Sequence, residues 1–293
     1  MTQTQSNIAT AQTAGKLQLG DLTVNRLGYG AMRLTGPNIW GEPENREEAK
    51  AVLRRALELG VNLIDTAETY GPSVANRLIA ETLYPYPEGL IIVSKLGGKR
   101  GDDKSWQKDL RPERIRETCD TNLQRLRLDH LDLVHFRNYD DADVPFAESF
   151  GAMADLQREG KIRHLGLSNV GVDHLAEGQS IAPIVSVQNF YNVLDRRSEA
   201  VLEACEAQNI PFMPFFPLAM GKLGQADGVI ATIAQAHGVS TGQVALAWLL
   251  ARSPMMLPIP GTSSVAHLEE NVAAARLQLT EDEYNTLNQL ASA

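Results

Sequence analysis

Three residues have the types and spacing that carbonyl chemistry needs. In residues 61–72, VNLIDTAETYGP, the apolar Val61, Leu63 and Ile64 read as a strand. Asp65 stands where that strand ends, and Tyr70 follows five residues later, before the turn pair Gly71-Pro72. A carboxylate closing a hydrophobic strand is poor core material, because a buried unpaired charge is strongly disfavoured, so a cation must meet it. The next apolar run, LIIVSK at residues 90–95, places Lys95 at its own C-terminal end. Tyrosine is a weak acid at neutral pH. An adjacent ammonium stabilises its phenolate, and a carboxylate keeps that ammonium aimed. The trio makes a general acid suited to protonating a carbonyl oxygen while hydride arrives at carbon. The same residues also read as an ion pair closing two strands with a tyrosine in the loop, and alone they do not choose.

Strands and helices alternate from residue 17 onward, and they must bring the trio together. Residues 17–24 alternate around Gly20-Asp21, the mark of a short hairpin. Residues 27–31 read as a first core strand. Ala49, Val52, Leu53, Ala56 and Leu57 form one face of a helix over residues 46–59, stopped by Gly60. Strands open near residues 27, 61, 90, 131, 162, 184, 210 and 256, and helices are predicted over 112–127, 144–159, 195–207 and 241–251. This rhythm, unbroken by any linker, predicts an α/β fold: a (β/α)8 TIM barrel with an N-terminal β-hairpin and a C-terminal helix, one domain over residues 17–293. A doubly wound dinucleotide fold would need a glycine-rich first turn; Gly28-Tyr29-Gly30-Ala31-Met32-Arg33 lacks the third glycine and leads into a loop.

Composition narrows the function classes. The length of 293 residues is ordinary for one such barrel. A net charge of −9 argues against nucleic acid and anionic membrane surfaces as partners. Cys119 and Cys205 lack CxxC spacing and suggest a reducing cytoplasm; His164, His174 and His237 lack ligand spacing, so no metal is expected. No apolar run approaches the ~18 residues that span a bilayer. Residues 1–16 are polar, lack the features of a signal peptide and read as a disordered tail. The sequence leaves the oligomeric state open, a monomer being one reading.

Barrel chemistry sits at the C-terminal strand ends. Strand four ends with His135, Phe136 and Arg137, strand five with Ser168-Asn169, and strand six with Gln188. Strand seven ends with Phe215 and Phe216, and strand eight runs into Gly261-Thr262-Ser263-Ser264. Serine, asparagine and glutamine on neighbouring strand ends can grip an amide such as that of nicotinamide, and an aromatic offers a face for a flat ring. Taken singly, Asn169 also reads as a helix cap and Phe215 as core. Trp40, Phe136, Phe216 and Met220 are expected to wall a pocket for a flat, small carbonyl substrate.

From about residue 17 to 290 the chain resembles the aldo-keto reductases: Asp–Tyr–Lys in order, then GLSN, VQ, a strand-seven aromatic before Pro-Leu, and GTSSVAHLEEN. FFPL and IPGTSSVAHLEEN resemble the bacterial pyridoxal-reductase-like members most. The resemblance implies NAD(P)H-dependent reduction of an aldehyde or ketone, pyridoxal to pyridoxine leading, with hydride from nicotinamide and the proton from Tyr70. It implies that Ser168, Asn169 and Gln188 hold the carboxamide and that Phe215 stacks on the nicotinamide. Gly30, Ala31, Met32, Phe216, Pro217 and Leu218 would line the cofactor. Gly261, Thr262, Ser263, Ser264 and His267 would surround phosphate at a helix start, where N–H groups favour anions, and Glu270 and Asn271 would address the adenine.

Two departures stand out. The family's catalytic histidine aligns with Arg137, while His135 lies two residues earlier, ~6.6 Å deeper on the same strand face, and reads as a buried histidine. Arg137 polarises a carbonyl through charged N–H donors but does not hand over a proton at neutral pH, which leaves Tyr70 as the acid and Asp65, Tyr70, Lys95 and Arg137 as the catalytic set. Many members carry Lys and Arg where this chain has Gly261 and His267, so NADPH is expected by a modest margin and NADH as an alternative. Competing readings are a non-catalytic nicotinamide-binding regulatory subunit and a barrel aldolase with Lys95 as Schiff base, which Asp65 disfavours.

Overall fold

The computed structural model describes residues 9–225 and 228–291. A hairpin of β1 (Lys16–Leu19) and β2 (Leu22–Asn25) opens the barrel, followed by β3 (Tyr29–Gly30), α1 (Arg46–Glu58), β4 (Leu63–Asp65), α2 (Val74–Leu83) and β5 (Ile91–Leu96). A second hairpin, β6 (Gly98–Arg100) and β7 (Trp106–Lys108), precedes α3 (Pro112–Leu126), β8 (Leu131–Arg137), α4 (Phe146–Arg158), β9 (Ile162–Ser168) and α5 (Val172–Ile181). The chain continues through β10 (Ile184–Phe190), α6 (Glu199–Ala207), β11 (Phe212–Phe215), α7 (Val229–His237), α8 (Thr241–Arg252), α9 (Val265–Ala273) and α10 (Glu281–Asn288).

Seven parallel strands pair in the order β11-β10-β9-β8-β5-β4-β3. The predicted eighth strand closes the ring without being a regular strand. Leu257 donates its N–H to the Phe212 carbonyl at 2.9 Å on one side, while Gly28 and Gly30 donate to the Pro258 and Pro260 carbonyls at 2.9 and 3.2 Å on the other. The two prolines have no N–H to give, so this segment only accepts towards β3.

Alternation along each strand divides the core in two. Leu63, Val93, Leu133, Met213 and Leu257 fill the barrel, and Leu17, Leu19 and Val24 of the first hairpin close its floor. The opposite strand faces pack beneath the helices. Phe136 belongs there, its ring 5.3 Å from that of Phe146 and 5.9 Å from that of Phe150, so it is no pocket wall. It points away because its neighbours His135 and Arg137 point in.

Three further expectations change. Residues 1–8 of the predicted tail lie outside the described residues, but Ala11–Ala14 forms a 3-10 turn in which Ala11 is buried and donates its N–H to the Leu59 carbonyl at 2.8 Å. One small apolar side chain packed beside α1 orders this otherwise polar stretch. Helix α6 begins four residues later than predicted, because Asn192 and Asp195 close a tight turn with paired backbone bonds of 3.0 and 3.2 Å. The β6–β7 hairpin was not predicted, since it carries neither strict alternation nor a two-residue turn signal.

Candidate active site

Asp65 ends β4, and its register partner on β5 is Val93, so Lys95 lies one inward step beyond it. Lys95 Nζ is 2.8 and 2.6 Å from the two Asp65 carboxylate oxygens and donates to the Thr66 carbonyl at 3.0 Å. Gln188 donates its side-chain amide to Asp65 Oδ1 at 2.8 Å. Both charged residues are buried. Such a pair is stable only when each charge meets its opposite and spare lone pairs find donors, as they do here. Three oxygens around the ammonium suit a fixed cation and not an amine nucleophile, which removes the support for a Schiff base.

Tyr70 follows on the loop after β4. Gly71 turns the chain behind it with φ +90°, and a Cβ there would lie 2.5 Å from Val74 Cβ, so the turn requires glycine. The Lys95 ammonium lies over the Tyr70 ring, 5.2 Å from its centroid. Arg137, at the end of β8, lines the same cavity and is half-buried. Burial draws its pKa down, and the oxygens of Tyr70, Tyr139 and Asp65 more than offset this, holding it above the usual guanidinium value.

His135 lies deeper and does not line the cavity. Its Nε2 is 2.7 Å from Ser186 Oγ, while its Nδ1 has no hydrogen-bond partner. Burial, and secondly the Lys95 charge, push its pKa well below the ordinary value. Gly166 makes room for the ring: a Cβ there would meet His135 Cδ2 at 2.5 Å.

The cavity above these residues has a volume of about 540 Å³. Of the residues expected to touch cofactor, Gly30, Met32, Ser168, Asn169, Gln188, Phe215, Phe216, Pro217, Leu218 and Gly261 line it, as does Met220. Asn169 takes φ +59° and donates its amide to the Asn138 carbonyl at 3.0 Å, leaving its own oxygen to accept. Ala31 is fully buried and does not line the cavity. Trp40 is also displaced from the wall: its backbone bridges to Gly71, its ring packs on the Arg100 guanidinium at 5.2 Å, and Ile39 lines the cavity instead.

Thr262, Ser263, Ser264, His267, Glu270 and Asn271 gather around the start of α9, beyond the cavity wall. Thr262 Oγ1 accepts from Ser264 N at 3.1 Å, and Ser264 Oγ caps the helix by accepting from His267 N at 3.5 Å. Each hydroxyl keeps its hydrogen for an outside acceptor. Ser263, His267 and Glu270 are exposed, and Asn271 is buried.

Four residues were not anticipated. Trp106 packs edge-on to Tyr70, with ring centroids 6.5 Å apart, and faces Arg137 at 5.6 Å. Tyr139 lines the cavity beside Arg137. Arg33 lies along Gly261, where a Cβ would contact its Cγ at 3.6 Å, bringing a cation near the position where the resemblance had shown one missing. Glu48 of α1 accepts the Val265 N–H at 3.1 Å, which sets a carboxylate at the α9 start. Arg33 follows the recognisable strand-end run 28–32; the other three carried no sequence signal for this placement.

The closed barrel, the buried Asp–Lys pair beneath a phenol and the polar rim of Ser168, Asn169 and Gln188 fit an oxidoreductase acting on carbonyl groups. The sequence profile of the aldo/keto reductase family matches residues 26–292, and the chain belongs to that family. It is 46% identical over 275 residues to pyridoxine 4-dehydrogenase of Escherichia coli, covering 92% of this chain and 96% of that one. Among solved structures it is similar to a thermostable aldo-keto reductase in complex with the inhibitor epalrestat (TM-score 0.81, 31% identity, 94% of this chain and 99% of that one). It is also similar to an aldo-keto reductase of Klebsiella pneumoniae in complex with NADPH (TM-score 0.77, 27% identity, 92% and 91%). The chain is therefore an enzyme of nicotinamide-dependent carbonyl reduction.

Among the described residues, no helix is long and apolar enough to cross a membrane and no cluster of potential ligands could hold a metal ion. Burial pushes both cysteine thiols up to about 12, so neither serves as a nucleophile.

Proposed function

We infer that the chain reduces a flat aromatic aldehyde of the pyridoxal type with NADPH, and that Asp65, Tyr70, Lys95 and Arg137 act on the reacting carbonyl. The observation that carries this reading is the Tyr70 phenol held against a buried ammonium in the wall of a cavity lined by aromatic faces. The cofactor fits the donors present. Ser168 is buried in the wall and its hydroxyl makes no hydrogen bond among the described residues, and the Asn169 oxygen is free to accept. Together with Gln188 they match the two donors and one acceptor of a carboxamide. When bound, the nicotinamide supplies the hydride.

Tyr70 gives its hydroxyl proton to the carbonyl oxygen as the C–H bond forms. Lys95 stabilises the phenolate left behind, and Asp65 and Gln188 keep the ammonium from turning away. Arg137 lends N–H donors where negative charge develops on the oxygen. His135, neutral and beneath the cavity, supports the strand. Tyr70→Phe is the test: turnover should fall by roughly 10²–10⁴-fold with NADPH affinity nearly unchanged. A variant keeping more than about a tenth of wild-type activity across several aldehydes rules Tyr70 out as the acid.

A further inference from the structure

Arg137 is a charge at the reacting end of the cavity that the protein leaves unmatched. Among the described residues, Asp65 is the only carboxylate lining the cavity, and Lys95 contacts both of its oxygens. Among the described residues Arg137 forms no ion pair with a carboxylate; its neighbours are the Trp106 face at 5.6 Å, the phenols of Tyr70 and Tyr139, and Asp65, whose charge Lys95 already meets. Gly98 lies under this group: a Cβ there would stand 3.0 Å from Tyr139 Oη and 3.5 Å from Arg137 Nη1. A side chain at position 98 would crowd both atoms, and the guanidinium donates a hydrogen bond to the Tyr139 hydroxyl in the cavity wall. A half-buried guanidinium without a counter-ion is costly, and its planar fork matches paired or anionic oxygens.

We propose that Arg137 recognises a second, ionised oxygen of the substrate, attached to an aromatic ring beside the reacting carbonyl. This rests on the reductase reading above and names the substrate class of that site: ring aldehydes with an ortho phenolate or ortho carboxylate. Tyr70 protonates the carbonyl oxygen, and the Arg137 fork, lining the same cavity, spans from that oxygen to the neighbouring one. Phe216 and Trp106 supply flat walls for the ring. The second oxygen is unchanged by the reaction: hydride adds at the carbonyl carbon, Tyr70 protonates its oxygen, and Arg137 keeps its protons. A ring hydroxyl beside an aldehyde, as in pyridoxal, meets this requirement.

The test follows NADPH oxidation with 2-hydroxybenzaldehyde, 2-carboxybenzaldehyde, 4-hydroxybenzaldehyde and 2-methoxybenzaldehyde. The 4-hydroxy compound has the same electronic deactivation without the adjacent oxygen, and the 2-methoxy compound has the oxygen without the charge. In the wild type, the 2-hydroxy or the 2-carboxy aldehyde should exceed both controls in kcat/KM by about 10- to 100-fold, the size of a charge-assisted hydrogen bond. Which of the two leads tells phenolate from carboxylate. Arg137→Met should bring the ratio to about one, and Arg137→Lys, which keeps charge but loses the fork, should keep part of it. Equilibrium binding of the same aldehydes to the complex with oxidised cofactor, which cannot reduce them, gives the ratio for any variant too slow to assay. Equal wild-type values for ortho and para aldehydes, or an ortho preference that survives in Arg137→Met, overturns the proposal while leaving the reductase reading intact. A wild type that reduces none of the four overturns both.

Discussion

Replacing Asp65 by asparagine tests whether the Asp65–Lys95 pair serves both the fold and the reaction. The substitution is nearly isosteric, so packing is hardly disturbed. Both carboxylate oxygens are in use, however: Lys95 Nζ lies within 2.8 Å of each, and Gln188 donates to Oδ1 at 2.8 Å. Asparagine offers one acceptor, and its amide hydrogens must face either the ammonium or the Gln188 donors. An uncompensated ammonium is left buried, which typically costs about 3–5 kcal/mol. For a chain of 293 residues the unfolding entropy is roughly 0.6 kcal/mol/K. The melting temperature should therefore fall by about 5–8 °C. Turnover should fall by at least ~10²-fold, because the ammonium no longer holds its place beside Tyr70. The double variant Asp65→Asn/Lys95→Met separates the two effects: removing both charges should restore most of the melting temperature, yet none of the activity. Thermal melts and steady-state kinetics give the answer. A single variant that melts within about 2 °C of wild type and still turns over would refute the reasoning, since the pair would then support neither fold nor reaction.

Three further outcomes are expected. Glu48→Gln removes a carboxylate from the α9 start and should tighten NADPH relative to NADH by roughly 0.3–1 kcal/mol, read from dissociation constants at low ionic strength; equal shifts for both would show that the 2′-phosphate does not bind there. Arg33→Met should weaken NADPH binding without changing the pH profile of turnover, and unchanged affinity would remove Arg33 from the cofactor's surroundings. His135→Asn should flatten the pH dependence of stability. Because the folded protein holds this histidine neutral, the unfolded chain binds the proton more readily below its ordinary value of 6.5, so wild-type stability should fall with pH there at up to about 1.4 kcal/mol per unit. Urea unfolding at several acidic pH values compares the slopes, and identical slopes would place the titration elsewhere.

Much of the site was legible because it is written at strand ends. Asp65, Lys95, Arg137, Ser168 and Gln188 each fall at or near the end of an apolar run with period-two alternation, and a parallel barrel brings such ends to one rim whatever the helices between them do. The hairpin floor and the closed sheet followed from the same local patterns. Gly71 was readable as a turn, though its need for glycine comes from Val74 pressing behind it.

What the sequence by itself determined was the barrel and the rim carrying Asp65, Tyr70, Lys95 and Arg137, since local periodicity and turn chemistry suffice to specify them. Only the tertiary structure decided the walls and the charge balance. Phe136 turned outward to Phe146 and Phe150, Trp40 left the pocket for Arg100, and Trp106 entered it on a hairpin that no pattern announced. Glu48 reached Val265 across 217 residues. The physical reason is common to them. A side chain's direction at a strand end follows from the backbone period, whereas a loop side chain's partner is chosen by whichever ring, charge or helix end the closed barrel brings within reach.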